Sequence, residues 1–390
     1  MIPEALDRER AASEQEPLVK LLAAICQTPA PTFLETRRAE LVARVLRDAG
    51  LEPHNDGVGN IVADLPGGQG PRLLLAAHLD TVFPDGTDVR IRRSGGRLMA
   101  PGIGDNSASL AVMLHFAQQV AEGAGSTPRP RLALAATVGE EGLGDLRGMR
   151  ELVRARRRDF DAVIALDGHL GTIVAEAVGS KRFEITFTAH GGHSWGDYPS
   201  PSAVHALGDA IHLINGMTVP RQPRSAYNVG IVQGGTSVNA IAQQAVMKID
   251  LRSVDQGVLQ RMTQDAENCV RKAALRHRVE FALAQVGDRP AARVPNAALV
   301  SAGRQVLEEL GLQVRITASS TDANAAMAVG LPAIAFGVYH GGDAHRESEW
   351  LEISSLVTGY TALRRLLARL ATMQPSELQD SAWPAAKPAP

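Results

Sequence analysis

LLLAAHLD, residues 73–80, is an apolar run that ends in a histidine and an aspartate. Three other segments have the same short apolar form: LALAATV at 132–138, AVIAL at 162–166 and PAIAFGV at 332–338. Runs of this length, separated by helical patterns, are typical of strands that are buried on both faces of a largely parallel sheet. The sequence therefore predicts an α/β fold with a mixed, largely parallel sheet flanked by helices.

The segments around these runs carry helical periodicity. Residues 17–50 read as two helices, and the second, ETRRAELVARVLRDAG, is expected to end at Gly50. A further helix is predicted after the polar turn GDNSAS, where apolar residues recur at helical spacing: Leu110, Met113, Leu114, Ala117 and Val120.

The pattern changes between residues 180 and 288. Strand-like and helical segments follow one another there as KRFEITFTAHG, PSAVHALGDAIHLING, AYNVGIVQGG and NAIAQQAVMKIDLRS. This order predicts a separate α+β domain over 180–288, inserted into a discontinuous catalytic domain over 1–179 and 289–370. The proline- and alanine-rich tail over 371–390 is expected to be disordered.

Composition restricts the class of protein. The 390 residues are 45% hydrophobic and 21% charged, and the formal net charge of −2 gives no broad field for nucleic acid or an acidic membrane. No stretch approaches the roughly 18 consecutive apolar residues of a membrane span. Cys26 and Cys269 lack the spacing of a disulfide framework or a structural zinc site, and the charged N-terminus has no apolar signal core. We therefore expect a cytoplasmic protein.

Polar residues follow all four apolar runs. In chain order they are His78 and Asp80, Glu140 and Glu141, Asp167, and His345. The carboxyl ends of parallel strands meet at one edge of a sheet, so these side chains are expected to converge. Each motif alone is more often a solvated or hydrogen-bonded turn. Together, the groups would repel or desolvate one another unless cations compensated them, which predicts a metal centre.

Asp105, in GIGDNSAS, is a candidate ligand shared by two ions. With one shared carboxylate, two imidazoles and three carboxylates suit two ions of zinc, manganese or cobalt that lie about 3.5 to 4 Å apart. The alternative is that Asp105 only caps the helix that follows it.

Six motifs, in this order over residues 17–370, give a more specific indication: HLDTVFP, GIGDNSASL, VGEEGLGDLRG, the aspartate after AVIAL, GGHSW and GGDAH. They resemble the co-catalytic metallopeptidase superfamily of peptidase T, carboxypeptidase G, aminoacylase and succinyl-diaminopimelate desuccinylase. The resemblance implies that His78, Asp105 and Asp167 bind one ion, and that Asp105, Glu141 and His345 bind the other. It also implies a cis peptide bond between Asp105 and Asn106.

The same resemblance implies the remaining roles. Asp80 would orient His78, and Glu140 would be the general base that takes a proton from a metal-activated water. His193 would enter the active site of a partner subunit and stabilise the oxyanion, so the inserted domain would act as a lid and form a homodimer. Asn239 and Arg252 would bind the substrate's carboxylate or carbonyl. Arg252 has an alternative role, an ion pair with Asp250.

Substrate class is the least determined feature. In the superfamily, aspartate at the position of Asp167 accompanies aminopeptidases and dipeptidases, whereas glutamate accompanies deacylases and carboxypeptidases. The resemblance thus implies a peptidase for dipeptides or short peptides with two divalent ions, zinc first and manganese or cobalt as alternatives. The alternative enzyme is an N-acyl-amino-acid amidohydrolase (deacylase) or a carboxypeptidase. A non-catalytic binding protein on the same fold is a third hypothesis.

Overall fold

The structure is a computed structural model that describes residues 4–123 and 128–379. It divides into two compact units. The first unit contains the residues up to Ala177 and those from Arg293 onward. The second unit spans Val178–Ala292, where the sequence predicts 180–288.

The strands of the described residues are short. In chain order they are β1 (His54–Asn55), β2 (Ile61–Asp64), β3 (Arg72–His78), β4 (Arg92–Ser94), β5 (Arg97–Met99), β6 (Arg131–Thr137), β7 (Ala162–Leu166), β8 (Thr172–Ala177), β9 (Gly179–Thr188), β10 (Gly192–His193), β11 (Ser225–Gly234), β12 (Ala240–Ile241), β13 (Gln244–Ser253), β14 (Glu280–Arg289), β15 (Arg315–Ser319), β16 (Ala333–Phe336), β17 (Gly341–Gly342) and β18 (Trp350–Glu352).

The described residues also form ten α-helices, and those of the first unit alternate with its strands. In chain order they are α1 (Glu4–Cys26), α2 (Thr36–Asp48), α3 (Ser107–Ala121), α4 (Arg147–Arg156), α5 (Ala203–Asn215), α6 (Gln256–His277), α7 (Ala297–Glu309), α8 (Ala323–Ala328), α9 (Ile353–Leu370) and α10 (Pro375–Gln379). None of the helices in the described ranges is long and apolar enough to cross a bilayer.

The first unit is built on an eight-stranded sheet in the order β1-β2-β6-β3-β7-β16-β8-β15. β3 runs parallel to β6 and β7, β16 runs parallel to β7, and β15 runs parallel to β8. The pairs β1–β2, β2–β6 and β16–β8 are antiparallel. The predicted mixed, largely parallel sheet is thereby confirmed.

Helices cover the sheet on both faces, which explains the continuous apolar runs. Leu73 and Leu75 belong to one core cluster with residues of α1, α3 and α9. Leu74 and Ala76 are also fully buried. Since side chains alternate along a strand, these two residues point to the opposite face. All four strands at the centre of the sheet have this doubly buried character.

Two predictions about the ends of the chain need correction. The first helix begins at Glu4, not near residue 17, and continues through Pro17. Upstream of that proline, Glu14 contacts His115 of α3, a tertiary contact that local periodicity does not show. The expected disorder from 371 is wrong as far as residue 379, because α10 forms there and Leu378 is fully buried. Residues 380–390 lie outside the described ranges.

The second unit is an α+β fold with a core of its own. Its antiparallel sheet has the order β11-β13-β9-β14, and α5 and α6 pack against it. Phe183, Ile185 and Phe187 of β9 alternate with half-buried residues and join the helices in one hydrophobic cluster. A separate two-stranded pair joins β10 to β12.

Candidate active site

The strands β6, β3, β7 and β16 lie next to one another and run parallel, so their carboxyl ends meet at one edge of the sheet. β3 ends at His78, and Asp167 directly follows β7. The turn Gly139–Glu141 follows β6 after one residue. The loop after β16 leads to His345. These segments converge, as predicted, because the four strands that precede them are neighbours in the sheet and point in the same direction.

Asp105 lies at the centre of the polar cluster. One of its carboxylate oxygens, Oδ1, is 3.1 Å from His78 Nε2, and the other, Oδ2, is 3.0 Å from His345 Nε2. His345 Nε2 is also 3.1 Å from Oε1 of Glu141. Ligand atoms of His78, Asp105 and Glu141 all lie within 4.8 Å of one another. One carboxylate thus faces two imidazoles, one through each oxygen.

These donor groups fit divalent metal ions. Nδ1 of His78 is 3.0 Å from the backbone carbonyl oxygen of Asp80, which can accept a hydrogen bond from a protonated Nδ1 and so leave the lone pair of Nε2 available to a metal. Imidazole nitrogens together with carboxylate oxygens are the ligand types that zinc, manganese and cobalt accept. The structure therefore contains a candidate metal site at His78, Asp105 and Glu141.

The charges of the cluster are strongly coupled. Burial, followed by the charge of Asp105, raises the pKa of Asp167 to about 7. Hydrogen bonds with Asp105 and Glu141 raise the pKa of His345 to about 10. Burial disfavours the charged form of His78, but hydrogen bonds with Asp105 and Asp80 outweigh it and raise its pKa. Shifts of pKa among closely spaced carboxylates and imidazoles are typical of functional sites, including sites that bind cations.

Asp80 does more than face His78. It is fully buried, and its two oxygens accept the backbone N–H groups of Glu140 and Glu141, each at 2.9 Å. The hydroxyl of Thr32 donates to the same carboxylate at 2.9 Å. Burial raises the pKa of Asp80, but hydrogen bonds with His78 and with the turn outweigh burial and lower it. One carboxylate therefore links the His78 strand to the Glu140 turn.

The peptide bond between Asp105 and Asn106 is cis, as predicted. The N-cap position of α3 is occupied by Asn106, and its side chain makes no capping hydrogen bond. Asn106 Nδ2 donates instead to the carbonyl of Leu166 at 2.9 Å, next to Asp167. Since both oxygens of Asp105 face histidines, the alternative role of Asp105 as a simple helix cap is wrong.

Two buried carboxylates of the site were missed by sequence reasoning. Glu349, 1% exposed, accepts the backbone N–H groups of Gly102, Gly104 and Asp105 at 2.9, 2.8 and 2.8 Å. Asp322 accepts a hydrogen bond of 2.5 Å from Thr137. Glu349 lies in the polar stretch HRESEW, which reads as a solvated loop, and Asp322 reads as a helix cap. Nothing in the local sequence separates either carboxylate from a surface acid.

The remaining candidates lie in the second unit. His193 in β10 pairs with Ala240 of β12, and Ser194 N donates to the carbonyl of Asn239 at 3.0 Å, so the structure brings His193 and Asn239 into one exposed loop cluster. Arg252 Nε donates to Asp250 at 2.7 Å, the ion pair named as its alternative role. The assigned roles of these three residues in substrate binding stay predictions.

Comparisons with known proteins agree with this architecture. The family model of peptidase family M20/M25/M40 matches residues 74–369. The chain is 25% identical over 379 residues to succinyl-diaminopimelate desuccinylase of Corynebacterium glutamicum, with 90% of this chain and 96% of that protein covered.

Solved structures show the same fold. A tripeptidase from Staphylococcus aureus superposes with a TM-score of 0.80 at 22% identity and covers 92% of this chain and 99% of its own. A dinuclear metal-binding peptidase of family M20 from Bacillus subtilis gives a TM-score of 0.68 at 17% identity over 92% and 98% of the two chains. With the family match over most of its length, the chain belongs to peptidase family M20/M25/M40 and is a hydrolase of peptide or amide bonds.

Proposed function

We propose that the protein is a di-metal peptidase that hydrolyses the peptide bond of a dipeptide or another short peptide. The observation that carries the proposal is Asp105, whose two oxygens face His78 at 3.1 Å and His345 at 3.0 Å beside the Glu140–Glu141 turn. A carboxylate in that position is suited to be shared by two ions.

The proposed ligand sets use two imidazoles and three carboxylates of the centre. His78, Asp105 and Asp167 would hold one ion, and Asp105, Glu141 and His345 would hold the other. When bound, two divalent ions, zinc first with manganese or cobalt as alternatives, would supply Lewis-acid polarisation and a water of lowered pKa.

Glu140 is proposed as the general base. Its carboxylate would take the proton of the attacking water and return it to the leaving amine, so that a neutral amine departs. Glu140 is 5% exposed, and its backbone N–H is fixed by Asp80. A buried carboxylate on a fixed turn retains one orientation toward the scissile bond.

The substrate class follows from Asp167. By the resemblance, aspartate at this position favours a peptidase over a deacylase. The alternative, an N-acyl-amino-acid amidohydrolase or carboxypeptidase, is supported by the relative named succinyl-diaminopimelate desuccinylase. His193, Asn239 and Arg252 are proposed to bind the substrate's carbonyl and carboxylate, with Arg252 having to leave Asp250 for that purpose.

We also propose that the enzyme is a homodimer formed through the second unit. The supporting observation is that the edge strand β11 is largely exposed, with Ile231 and Val232 exposed to 46% and 52%. The proposed role of His193 needs a partner subunit. A cytoplasmic location is proposed because Cys26 and Cys269 are both free thiols, as a reducing compartment favours.

The experiment that tests the proposal starts from metal-free protein. Zinc, manganese and cobalt are each added back, and dipeptides, tripeptides and N-acyl amino acids are offered as substrates. Metal-dependent release of amino acids from short peptides is the expected result. Turnover of N-acyl amino acids alone would establish the alternative enzyme, and absence of turnover with every metal and substrate would contradict both.

A further inference from the structure

Glu35 stands at the N-cap position of α2, yet its side chain makes no capping hydrogen bond to that helix. The side chain is only 4% exposed. Its carboxylate accepts hydrogen bonds from Nη2 of Arg147 at 2.9 Å to both oxygens, and one from the backbone N–H of Gly139 at 3.0 Å. A buried carboxylate has to be paired in this way. Glu35 therefore serves the Gly139 turn and not its own helix.

Arg147 fills the space beside Gly139. The φ angle of Gly139 is +65°, and a Cβ there would lie 2.6 Å from Nε and 2.7 Å from Cγ of Arg147. Nη1 of Arg147 also donates to the carbonyl of Val58 at 3.2 Å. The arginine thus makes three hydrogen bonds to two partners, Glu35 and Val58, and its stem leaves no room for a Cβ at residue 139.

Three consecutive backbone N–H groups of the turn donate hydrogen bonds to buried carboxylates. Gly139 donates to Glu35, while Glu140 and Glu141 donate to Asp80. The direction of a residue's N–H helps to fix the direction of its side chain. Asp80 fixes the two glutamates, and Glu35 fixes the residue before them, so the backbone that enters Glu140 is held from both sides along the chain.

We propose that Glu35 and Arg147 are positioning residues for the general base, an inference that rests on the proposed function of Glu140. The pair holds the Gly139 turn so that Glu140 keeps one orientation, and it touches neither substrate nor metal. Asp80 holds the N–H groups of both Glu140 and Glu141, whereas Glu35 holds only that of Gly139, the residue directly before Glu140. Loss of the pair should therefore disturb Glu140 more than Glu141, the proposed metal ligand. The consequence is a lower kcat at unchanged KM and unchanged metal content.

The test compares Glu35→Ala with Glu35→Gln in the metal-loaded, full-length protein. Glutamine keeps a carbonyl oxygen for the N–H of Gly139, and alanine removes it. We expect Glu35→Ala to lower kcat between about 10-fold and about 100-fold, as small displacements of catalytic groups do. Glu35→Gln should recover most of that loss. Wild-type kcat in Glu35→Ala, or equal losses in both variants, would overturn the proposal.

A matched control separates positioning from general destabilisation. Asn296 is fully buried in the same unit, and its Nδ2 donates to the carbonyls of Ala175 and Ala333 at 2.8 Å each. Asn296→Ala is expected to lower the melting temperature and to leave kcat per metal-loaded molecule unchanged. If the Glu35→Ala variant does not fold, the Arg147→Lys variant is tested in its place. Lysine keeps the charge and the aliphatic stem but cannot make the same set of hydrogen bonds to Glu35 and Val58. A wild-type kcat for Arg147→Lys would then refute the role.

Hydrogen exchange gives a readout that does not depend on turnover. In metal-loaded Glu35→Ala, the amides of 139–141 should exchange faster than in the wild type, and Asn296→Ala should leave them protected. If the wild type hydrolyses neither peptides nor N-acyl amino acids, the proposed function fails while this measurement still decides the positioning. Unchanged exchange in Glu35→Ala would mean that Glu35 does not hold the turn.

Discussion

Glu349 accepts hydrogen bonds from three backbone N–H groups of the loop that carries Asp105. Its burial and the nearby charge of Asp105 raise its pKa to about 7, while the three N–H groups favour the charged form. A carboxylate that holds a loop in this way would act on a bound metal indirectly, because it sets the position of Asp105, the proposed shared ligand.

We expect Glu349→Gln to weaken metal binding by about 10-fold to about 100-fold, the range found for residues that orient ligands. The amide has one acceptor oxygen, and its NH₂ group would face an N–H group of the loop. Metal affinity is measured by competition with a chelator. Glu347→Gln, at an exposed neighbouring position, is the control, and equal affinities in the two variants would contradict the role of Glu349.

Glu140 is expected to matter for turnover and not for metal content. Glu140→Gln keeps the size of the side chain but removes the base, so kcat should fall by at least about 100-fold. Glu141→Ala, in contrast, should lose occupancy of one ion. Metal analysis beside the kinetics separates the two outcomes. A fully metallated Glu140→Gln protein with wild-type kcat would exclude the proposed base.

At the scale of elements, the centre of the fold was predictable and its edges were not. AVIAL at 162–166 became β7 with the same bounds, since a short apolar run between polar turns specifies a doubly buried strand. α1 and α10 were mispredicted because Glu14 and Leu378 owe their order to tertiary contacts. Single residues of this kind leave no periodic pattern in a sequence.

The site divides in the same way. His78, Asp105, Glu141 and His345 were predictable because they are chemically distinctive residues next to strand ends or glycine turns. Glu35 was not, because its partners are a backbone N–H and an arginine more than 100 residues away in the chain. Supporting carboxylates are specified by three-dimensional packing, and nothing in their local sequence separates them from surface acids.

Packing of α9 gives a prediction at this scale. A Cβ at Gly359 would lie 1.7 Å from the carbonyl oxygen of Val338, so Gly359→Ala must move α9 away from the segment after β16. We expect a loss of about 1–3 kcal/mol, or more if the backbone cannot shift. The melting temperature, followed by circular dichroism, should fall accordingly.

Gly208 is the matched control for Gly359. It also lies inside a helix, α5, but it is exposed, and a Cβ there would meet no atom within 4 Å. Gly208→Ala should therefore stabilise its helix by about 0.5–1 kcal/mol through the lower entropy of the unfolded chain. A lower melting temperature for Gly208→Ala would contradict the packing argument. An unchanged melting temperature for Gly359→Ala would contradict it as well.

At the scale of the whole molecule, the proposed homodimer has a direct test. Sedimentation of the wild type should give twice the monomer mass, and Ile231→Glu on β11 should give a monomer that keeps its metals and loses turnover. The control is Ile316→Glu on β15, which is also an edge strand of its sheet and exposes its isoleucine to 48%. A wild-type monomer with full activity on dilution would refute the dimer.

The position of β16 has a consequence for synthesis on the ribosome. β16 pairs with both β7 and β8, although the whole second unit separates it from them in the chain. The ribosome must therefore synthesise the whole second unit before β16 can pair with β7. Until then β7 has an unpaired edge, and an unpaired strand edge can pair with the wrong strand. His345 emerges later still. A chain terminated before β16 therefore lacks both the strand that joins β7 to β8 and His345, a proposed metal ligand.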